Sequence, residues 1–265
     1  MIGLWRGLVA AVMAVFLGVA LAEAASAQLL DEIIKNKKVR VAIDLGVPPF
    51  GMMNAKNEPD GSDVDFAKLF AQDLGVELEV VPTQVANRVS VLLTGKADVV
   101  ISNFGMTYER ARAVSFSSPV GRVEIVIFGP KSVQISKPQD LVGKRIGATR
   151  GTIDDIELTK AALPGTTIVR FDEYPAMLNA LINGQVDAIT TFDTLSVELT
   201  KKYPDKQYEV KFGLLKSFHG IGIRRGDPDF MQWINTWVFL HNQRGEIAKI
   251  FDKWTGLSLG VLPSM

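Results

Sequence analysis

The chain has 265 residues, with 29 lysines and arginines, 29 aspartates and glutamates, and no cysteine. This balanced charge argues against a nucleic-acid-binding protein, whose surface is normally basic. Without disulfides, a chain of this length must be stabilised by its hydrophobic core.

The first 27 residues have the order of a secretory signal peptide. Arg6 precedes an apolar run over residues 7–22, and the small residues Ala25-Ser26-Ala27 end the segment. The run is short for a membrane span, which needs about 20 apolar residues. We expect cleavage near Ala27 and a periplasmic protein. An uncleaved anchor is the alternative, and the absence of cysteine argues against a lipid anchor.

Short strands and helices alternate along the rest of the chain. Strands are predicted at residues 39–43, 76–81, 97–102, 145–149, 167–171 and 186–190. Helices are predicted at residues 62–74, 87–94, 154–162, 174–183 and 193–202, with two more after Asp227-Pro228. Ser62 is expected to cap the helix at 62–74, and Asp227 the long helix that follows it. Strand–helix alternation indicates an α/β fold with mainly parallel sheets.

One pattern occurs twice along the chain. Residues 92–100 and 181–189 each contain a helix end, a glycine and a strand that begins at an aspartate, Asp98 or Asp187. Such joints are common in α/β folds, so the repeat by itself leaves two interpretations open. The functional interpretation is two similar lobes whose strand ends face each other across a ligand-binding cleft.

Four motifs carry a family resemblance. They are residues 61–66 (GSDVDF), residues 95–119 with Thr107, Arg110 and a Phe-Ser-x-Pro segment, residues 142–152 with two glycine turns, and residues 220–228. In this order they resemble the family 3 extracellular solute-binding proteins, the polar amino-acid receptors of ABC importers. Ser62 departs from the motif, which has a bulky residue there.

The resemblance implies a clamshell of two α/β lobes, periplasmic binding protein-like with type II topology, joined by two hinge strands. Lobe I would comprise residues 28–121 and 219–265, and lobe II residues 122–218. The crossings between the lobes are expected near residues 120–123 and 218–222. Two connections permit a hinge motion that closes the cleft around a ligand.

The resemblance also implies two ends of a ligand clamp. Arg110 matches the arginine that binds the ligand carboxylate, and a planar, permanently charged guanidinium suits that role. Thr107 is expected to start a short helix whose first N–H groups favour the same anion. Asp193 matches the second-lobe aspartate that receives the α-ammonium group. Its alternative role is that of a helix cap.

Further candidates lie in the loops that follow strands. Asn103 and Gly105 offer a carbonyl and an amide, and Phe104 either walls the pocket or packs inward. In the second lobe, Gly151 and Thr152 precede a helix whose free amides suit a carboxylate. Arg150 either reaches the ligand or lies on the surface.

A third group of residues is expected to contact the side chain of the ligand. Asp44 lies where receptors for basic residues have an acidic group, and Val47 replaces an aromatic residue that stacks on ligands. Phe50, which follows Pro48-Pro49, is a candidate to take the place of that aromatic residue. Arg88 either adds a positive charge or neutralises Asp44, which would suit a polar, uncharged side chain.

Enzymatic, metal and cofactor sites find little support in the sequence. The only histidines, His219 and His241, are far apart, so neither a zinc site nor a catalytic triad can be assembled. We therefore expect a monomeric receptor without cofactors, whose partners are an amino-acid ligand and an ABC permease. The alternatives are a cyclohexadienyl dehydratase-like enzyme with Asp154 or Asp193 as general acid, and a ligand-sensing module for a membrane receptor.

Overall fold

The structure is a computed structural model that describes residues 29–263, so the signal peptide predicted at residues 1–27 lies outside the described residues. The helices are α1 (Leu29–Asn36), α2 (Ser62–Leu74), α3 (Arg88–Leu93), α4 (Tyr108–Ala113), α5 (Ile153–Ala161), α6 (Tyr174–Ile182), α7 (Asp193–Lys202), α8 (Pro228–Gln243) and α9 (Glu246–Thr255). The strands are β1 (Lys38–Ile43), β2 (Met52–Met53), β3 (Pro59–Asp60), β4 (Glu77–Pro82), β5 (Val99–Val100), β6 (Val114–Phe116), β7 (Gly121–Pro130), β8 (Arg145–Thr149), β9 (Thr167–Phe171), β10 (Ala188–Phe192), β11 (Tyr208–His219) and β12 (Gly222–Arg224).

Two five-stranded sheets have the same internal order. The first runs β4-β1-β5-β12-β6 and the second β9-β8-β10-β7-β11. In each sheet the first three strands are parallel, and the fourth is antiparallel to the third. In both sheets the edge strand, β4 or β9, follows its neighbour, β1 or β8, along the chain. A βαβ unit that occurs twice produces this topology.

The repeated glycine–aspartate motif forms the same contact in both sheets. Arg40 of β1 donates from its backbone N, Nε and Nη2 to Asp98, and its Nη1 bonds the carbonyl of Gly95. Arg145 of β8 bonds Asp187 in the same manner. In each case the arginine of the first strand fixes the start of the third, and this contact supports the interpretation of two similar lobes.

The core under α2 is aromatic. Phe70 is fully buried and meets the rings of Trp233 and Trp237 edge-on, at centroid distances of 5.4 Å each. Trp237 also donates its indole N–H to Asp73 at 2.7 Å. These tryptophans pack helix α8 against α2, as their helical spacing indicates.

Two of the predicted helix caps are present in the structure, and one prediction is wrong. Asp227 and Thr152 accept the N–H groups three residues ahead, as expected of caps. Helix α2, however, is preceded by Gly61 at φ 119°, and Ser62 makes no capping bond. Gly61 is required there because an added Cβ would lie 2.3 Å from the carbonyl oxygen of Phe50.

The chain passes between the two sheets along neighbouring strands. β7 and β11 are antiparallel and pair from Gly121–His219 to Tyr208–Pro130, with two register shifts on the way. The N–H of Ser117 donates to the carbonyl of Ile221, which continues the pairing toward the first sheet. The two crossings therefore lie side by side. Across residues 29–263, no helix combines the length and apolar character that crossing a bilayer requires.

Candidate ligand-binding cleft

A small cavity lies where the strand ends of the two sheets meet. Its volume is about 20 Å³, room for about one water molecule. The lining residues are Arg88, Asn103, Gly105, Arg110, Val123, Ile125, Thr152, Ile153, Asp154, Tyr174, Phe192, Ser217 and His219. Most follow the carboxyl ends of parallel strands, where ligands of open α/β sheets bind.

Arg110 lines this cavity and bonds to backbone carbonyls on both sides of it. It is held by α4, whose cap Thr107 accepts the backbone N–H of Arg110 at 3.1 Å. Its Nη1 donates to the carbonyl of Gly105 at 2.7 Å and its Nη2 to that of Gly151 at 3.1 Å. Burial, with Arg88 nearby, lowers the pKa of Arg110 to about 10, so the guanidinium stays charged at neutral pH.

Asp154 is the buried acid on the opposite wall. It lies in the first turn of α5 with 2% of its surface exposed, and its Oδ2 accepts the phenol O–H of Tyr174 at 2.6 Å. Burial raises the pKa of Asp154 to about 6, against the lowering effects of the Tyr174 bond and of Arg88 and Arg110. Within residues 29–263, no cationic group lies close enough to Asp154 to form an ion pair.

Arg88 is buried among acids. Its Nη2 lies 3.9 Å from Oδ2 of Asp44, and its Nη1 points to the carbonyl of Asn103 at 3.5 Å. Burial raises the pKa of Asp63 to about 7 and also raises that of Asp44, while the charge of Arg88 opposes both shifts. Burial lowers the pKa of Arg88 itself. The guanidinium is thus balanced by its neighbours, and only its Nε has no partner.

His219 lines the cavity at the crossing between the sheets. Burial, followed by the charges of Arg88 and Arg110, lowers its pKa to about 3. The imidazole is therefore neutral at physiological pH. Its ring meets Phe50 edge-on at a centroid distance of 6.2 Å.

The two aromatic candidates have different positions. Phe50 is 3% exposed and packs edge-on against Phe192, whose ring lines the cavity. Phe104 packs inward with Phe116, and Arg110 lies 5.3 Å above its ring. Of the two orientations open to Phe104, the structure has the inward one.

Arg150 and Asp193 lie outside the residues that line the cavity. Arg150 is exposed and pairs with Asp172 at 3.1 Å. Asp193 is the first residue of α7 rather than its cap, and its Oδ1 accepts the backbone N–H groups of Glu124 and Thr194. Burial raises the pKa of Asp193, and these two bonds oppose the shift.

Several lining residues were not singled out as ligand contacts from the sequence. Asp154 was considered only as a general acid, and Tyr174, Phe192 and His219 were assigned no site role. One available signal pointed to Phe192. The repeat that aligns Asp98 with Asp187 also aligns Asn103 with Phe192, which places the phenylalanine, rather than Asp193, in the second-lobe loop position.

The described residues hold no cluster of three or more acidic, histidine or cysteine side chains able to bind a metal ion. What converges on the cleft is two guanidiniums, one buried carboxyl and several neutral polar groups. Two α/β lobes with polar groups meeting at their strand ends define a two-lobed ligand-binding protein. The chain belongs to the bacterial extracellular solute-binding proteins, family 3, whose model matches residues 39–257.

Individual relatives agree with this family. The chain is 26% identical over 249 residues to the L-cystine-binding protein TcyJ of Escherichia coli, covering 92% of this chain and 93% of the relative. It is 28% identical over 229 residues to the ABC transporter arginine-binding protein 1 of the same organism, covering 82% and 90%. A crystal structure of the ancestral amino acid-binding protein AncCDT-1, a precursor of cyclohexadienyl dehydratase, superposes with a TM-score of 0.80 at 29% identity, covering 85% of this chain and 99% of that one. The resemblance and the clamshell fold predicted from the motifs are confirmed.

Proposed function

We propose that this protein captures an amino acid in the cleft between its lobes and delivers it to an ABC permease. The observation that supports this most is the position of Arg110. Its guanidinium donates to one carbonyl on each side of the cleft, Gly105 and Gly151. A ligand carboxylate that takes the place of these carbonyls gains a charged, bidentate partner.

The N-terminus of α5 adds donors for the same carboxylate. Thr152 caps the helix through its Oγ1, and the first residues of the helix, Ile153 and Asp154, line the cavity. The first N–H groups of a helix have no partner within the helix. Because a helix N-terminus carries a partial positive charge, closing the second sheet onto a bound carboxylate is favourable. Ligand occupancy is thereby coupled to closure.

The cellular context follows from the same assignment. Residues 1–27 would be removed on export, and the mature protein would act in the periplasm as a monomer. Lobe I would comprise residues 28–121 and 219–265, and lobe II residues 122–218. Relatives named as components of ABC transporters support the permease as partner.

Calorimetry with a panel of amino acids tests the proposal. The panel includes cystine and arginine, which the names of relatives suggest, with acidic and apolar amino acids beside them. We expect at least one ligand to bind without turnover, and Arg110→Ala to weaken it by about 100-fold or more, since a buried charged partner is worth about 2–5 kcal/mol.

Arg112→Ala is the matched control, because Arg112 lies on the exposed face of the same short helix. Its affinity should equal that of the unaltered protein. If no amino acid binds, or if both arginine variants bind equally well, the proposal is wrong.

A dehydratase is the second candidate, and Asp154 is the observation that favours it. A carboxyl group with a pKa of about 6 is suited to general-acid catalysis near neutral pH. Incubation with prephenate, followed by detection of phenylpyruvate, separates the two functions. We expect no product, and a product that disappears in Asp154→Asn would establish the enzyme.

A further inference from the structure

The ammonium group of a bound amino acid must find its acceptors in the same cavity as Arg110. Its nitrogen is one carbon away from the carboxylate, so the two charged groups are close neighbours. A buried ammonium also needs charge compensation and acceptors for its three N–H donors. Among the described residues that line the cavity, Asp154 alone carries a carboxylate.

Asp154 faces this cavity without a cationic partner. Besides its own backbone N–H, its carboxylate accepts one side-chain donor, the O–H of Tyr174 at Oδ2, and an ionised carboxylate can accept further donors. Burial makes the ionised carboxylate costly, and the charges of Arg88 and Arg110, which form no ion pair with it, offset only part of that cost, so the pKa of Asp154 stays raised. A ligand cation would remove that cost.

A second acceptor lies on the opposite side of the same cavity. The side-chain oxygen of Asn103 is buried and has no donor in the described part of the chain. Asn103 has a φ of 44°, a left-handed conformation that places this side chain at the strand end. Asn103 belongs to the first sheet's loop and Asp154 to the second sheet's helix, so a shared ammonium would join both sides.

Asp193 is less suited to the same task. Its Oδ1 is already satisfied by the N–H groups of Glu124 and Thr194, and it does not line the cavity. Phe192 occupies the lining position beside it, with its ring against Tyr174 at a centroid distance of 5.1 Å. An apolar ring at that position offers an ammonium no hydrogen-bond acceptor.

We infer that Asp154, oriented by Tyr174 and assisted by the side-chain oxygen of Asn103, is the acceptor of the ligand's ammonium group, and that Asp193 stabilises the start of α7. The inference rests on the proposed function and adds to it a specificity-determining residue. It means that this chain distinguishes amino acids from other carboxylates through α5 rather than α7.

Pairs of ligands that differ only in the ammonium group test the inference. Suitable pairs are L-aspartate with L-malate, L-phenylalanine with L-phenyllactate, and L-arginine with L-argininic acid. The pair whose amino acid binds best is then measured against the variants by calorimetry. The unaltered protein should prefer the amino acid over the hydroxy acid by about 100-fold, since a hydrogen-bonded charge is worth about 1.5–3 kcal/mol.

Asp154→Asn should reduce this preference to about tenfold or less, whereas Asp193→Asn should retain it in full. The two variants are matched, because each replaces one carboxylate by an amide of the same shape. Thermal melting checks that both are folded. Asn103→Gly, which keeps the left-handed backbone and removes the oxygen, should weaken the amino acid but not the hydroxy acid.

The outcomes separate this inference from the proposed function. If the preference survives in Asp154→Asn, the inference is wrong and the proposed function stands, and its loss in Asp193→Asn would assign the ammonium to Asp193 instead. If Asp154→Asn does not fold, an Asn103→Gly variant with an unchanged preference overturns the inference by itself. If no amino acid binds the unaltered protein, both fail.

Discussion

The carboxyl group of Asp154 should make ligand affinity depend on pH. The groups that face it are Tyr174 from α6, Arg88 from α3 and Arg110 from α4, and the pKa that results is about 6. Above this pH the carboxylate is ionised and ready to accept an ammonium. Below it, the ligand must displace a proton, so affinity falls by up to about tenfold per pH unit.

Calorimetry between pH 5 and pH 8 checks this prediction. Because Asp63 also has a raised pKa, of about 7, and is coupled to Arg88, the slope of the unaltered protein alone is not diagnostic. Asp154→Asn provides the comparison. Its affinity should lose the dependence around pH 6, and a dependence identical to that of the unaltered protein would contradict the assignment.

Asp63 should limit stability at alkaline pH. Its folded-state pKa is raised above the unfolded value by burial, so its contribution to the free energy of unfolding is full at low pH and is lost as the pH rises through about 7. Asp63→Asn removes this loss. We expect the variant to be more stable than the unaltered protein at pH 8 by at least about 1 kcal/mol, the value of one pKa unit.

Melting curves at pH 5 and pH 8 test the Asp63 prediction, with Asp205→Asn as an exposed control. The control should leave the melting temperature unchanged at both values. A lower melting temperature for Asp63→Asn at pH 8 would mean that the attraction between Asp63 and the charge of Arg88 outweighs the cost of burial.

At the scale of elements, the two arginine–aspartate contacts should contribute unequally to the free energy of unfolding. The side chain of Asp98 is 4% exposed, whereas that of Asp187 is 28% exposed. Asp98→Asn therefore removes the charged acceptor of several Arg40 donors at a buried position and, since Arg40 itself is 37% exposed, should cost about 1.5–3 kcal/mol. Asp187→Asn should cost about 1 kcal/mol or less, because water screens that pair.

Urea unfolding of both variants measures the difference. Neither residue approaches the cleft, so ligand affinity should not change in either variant. Equal losses of stability would contradict the argument from exposure.

Many element bounds were predictable because their signals are local. Residues 145–149 and 167–171 form strands, and residues 62–74 and 193–202 form helices, where periodicity and glycine stops place them. Strand β11 was not predicted. It pairs with a single neighbour, carries charged residues between apolar ones and contains two register shifts, so its sequence lacks a regular alternation.

The pairing of residues across the cleft was less accessible to sequence. Asp154 and Tyr174 come from different helices and meet only because β8, β9 and the segments after them bring both to one cavity. The family resemblance matches Asp193 to the family's aspartate because both are aspartates. The residue that lines the cavity is instead the last residue of β10, Phe192. The internal repeat could have predicted the position of Phe192, since it aligns Phe192 with Asn103, which lines the cavity from the first sheet.

At the scale of the whole molecule, Gly105 sets how closely the lobes approach. A Cβ added at Gly105 would lie 2.3 Å from Cδ1 of Ile153, on the other side of the cleft. Gly105→Ala should therefore hold the lobes apart and weaken ligand binding by about tenfold or more, because closure would be strained. Removing Cδ1 relieves the contact, so Gly105→Ala combined with Ile153→Val should recover most of the affinity.

Calorimetry on the two single variants and the double variant completes this cycle. Small-angle scattering of the ligand-bound proteins should show a larger radius of gyration for Gly105→Ala than for the double variant. An additive result, with no recovery, would mean that the glycine is needed for its backbone carbonyl rather than for space.

The side-by-side crossings have a consequence for how such a protein can be altered. Gly121 and His219 are paired in register, so the segment between them leaves and re-enters the first sheet at a single position. In topological terms, residues 122–218 are an insertion whose two ends are already adjacent. Exchanging that insertion for the corresponding one of a relative requires no rerouting of the host chain. If each lobe contributes its own part of the ligand site, as proposed above, such chimeras would recombine carboxylate and ammonium recognition from different receptors.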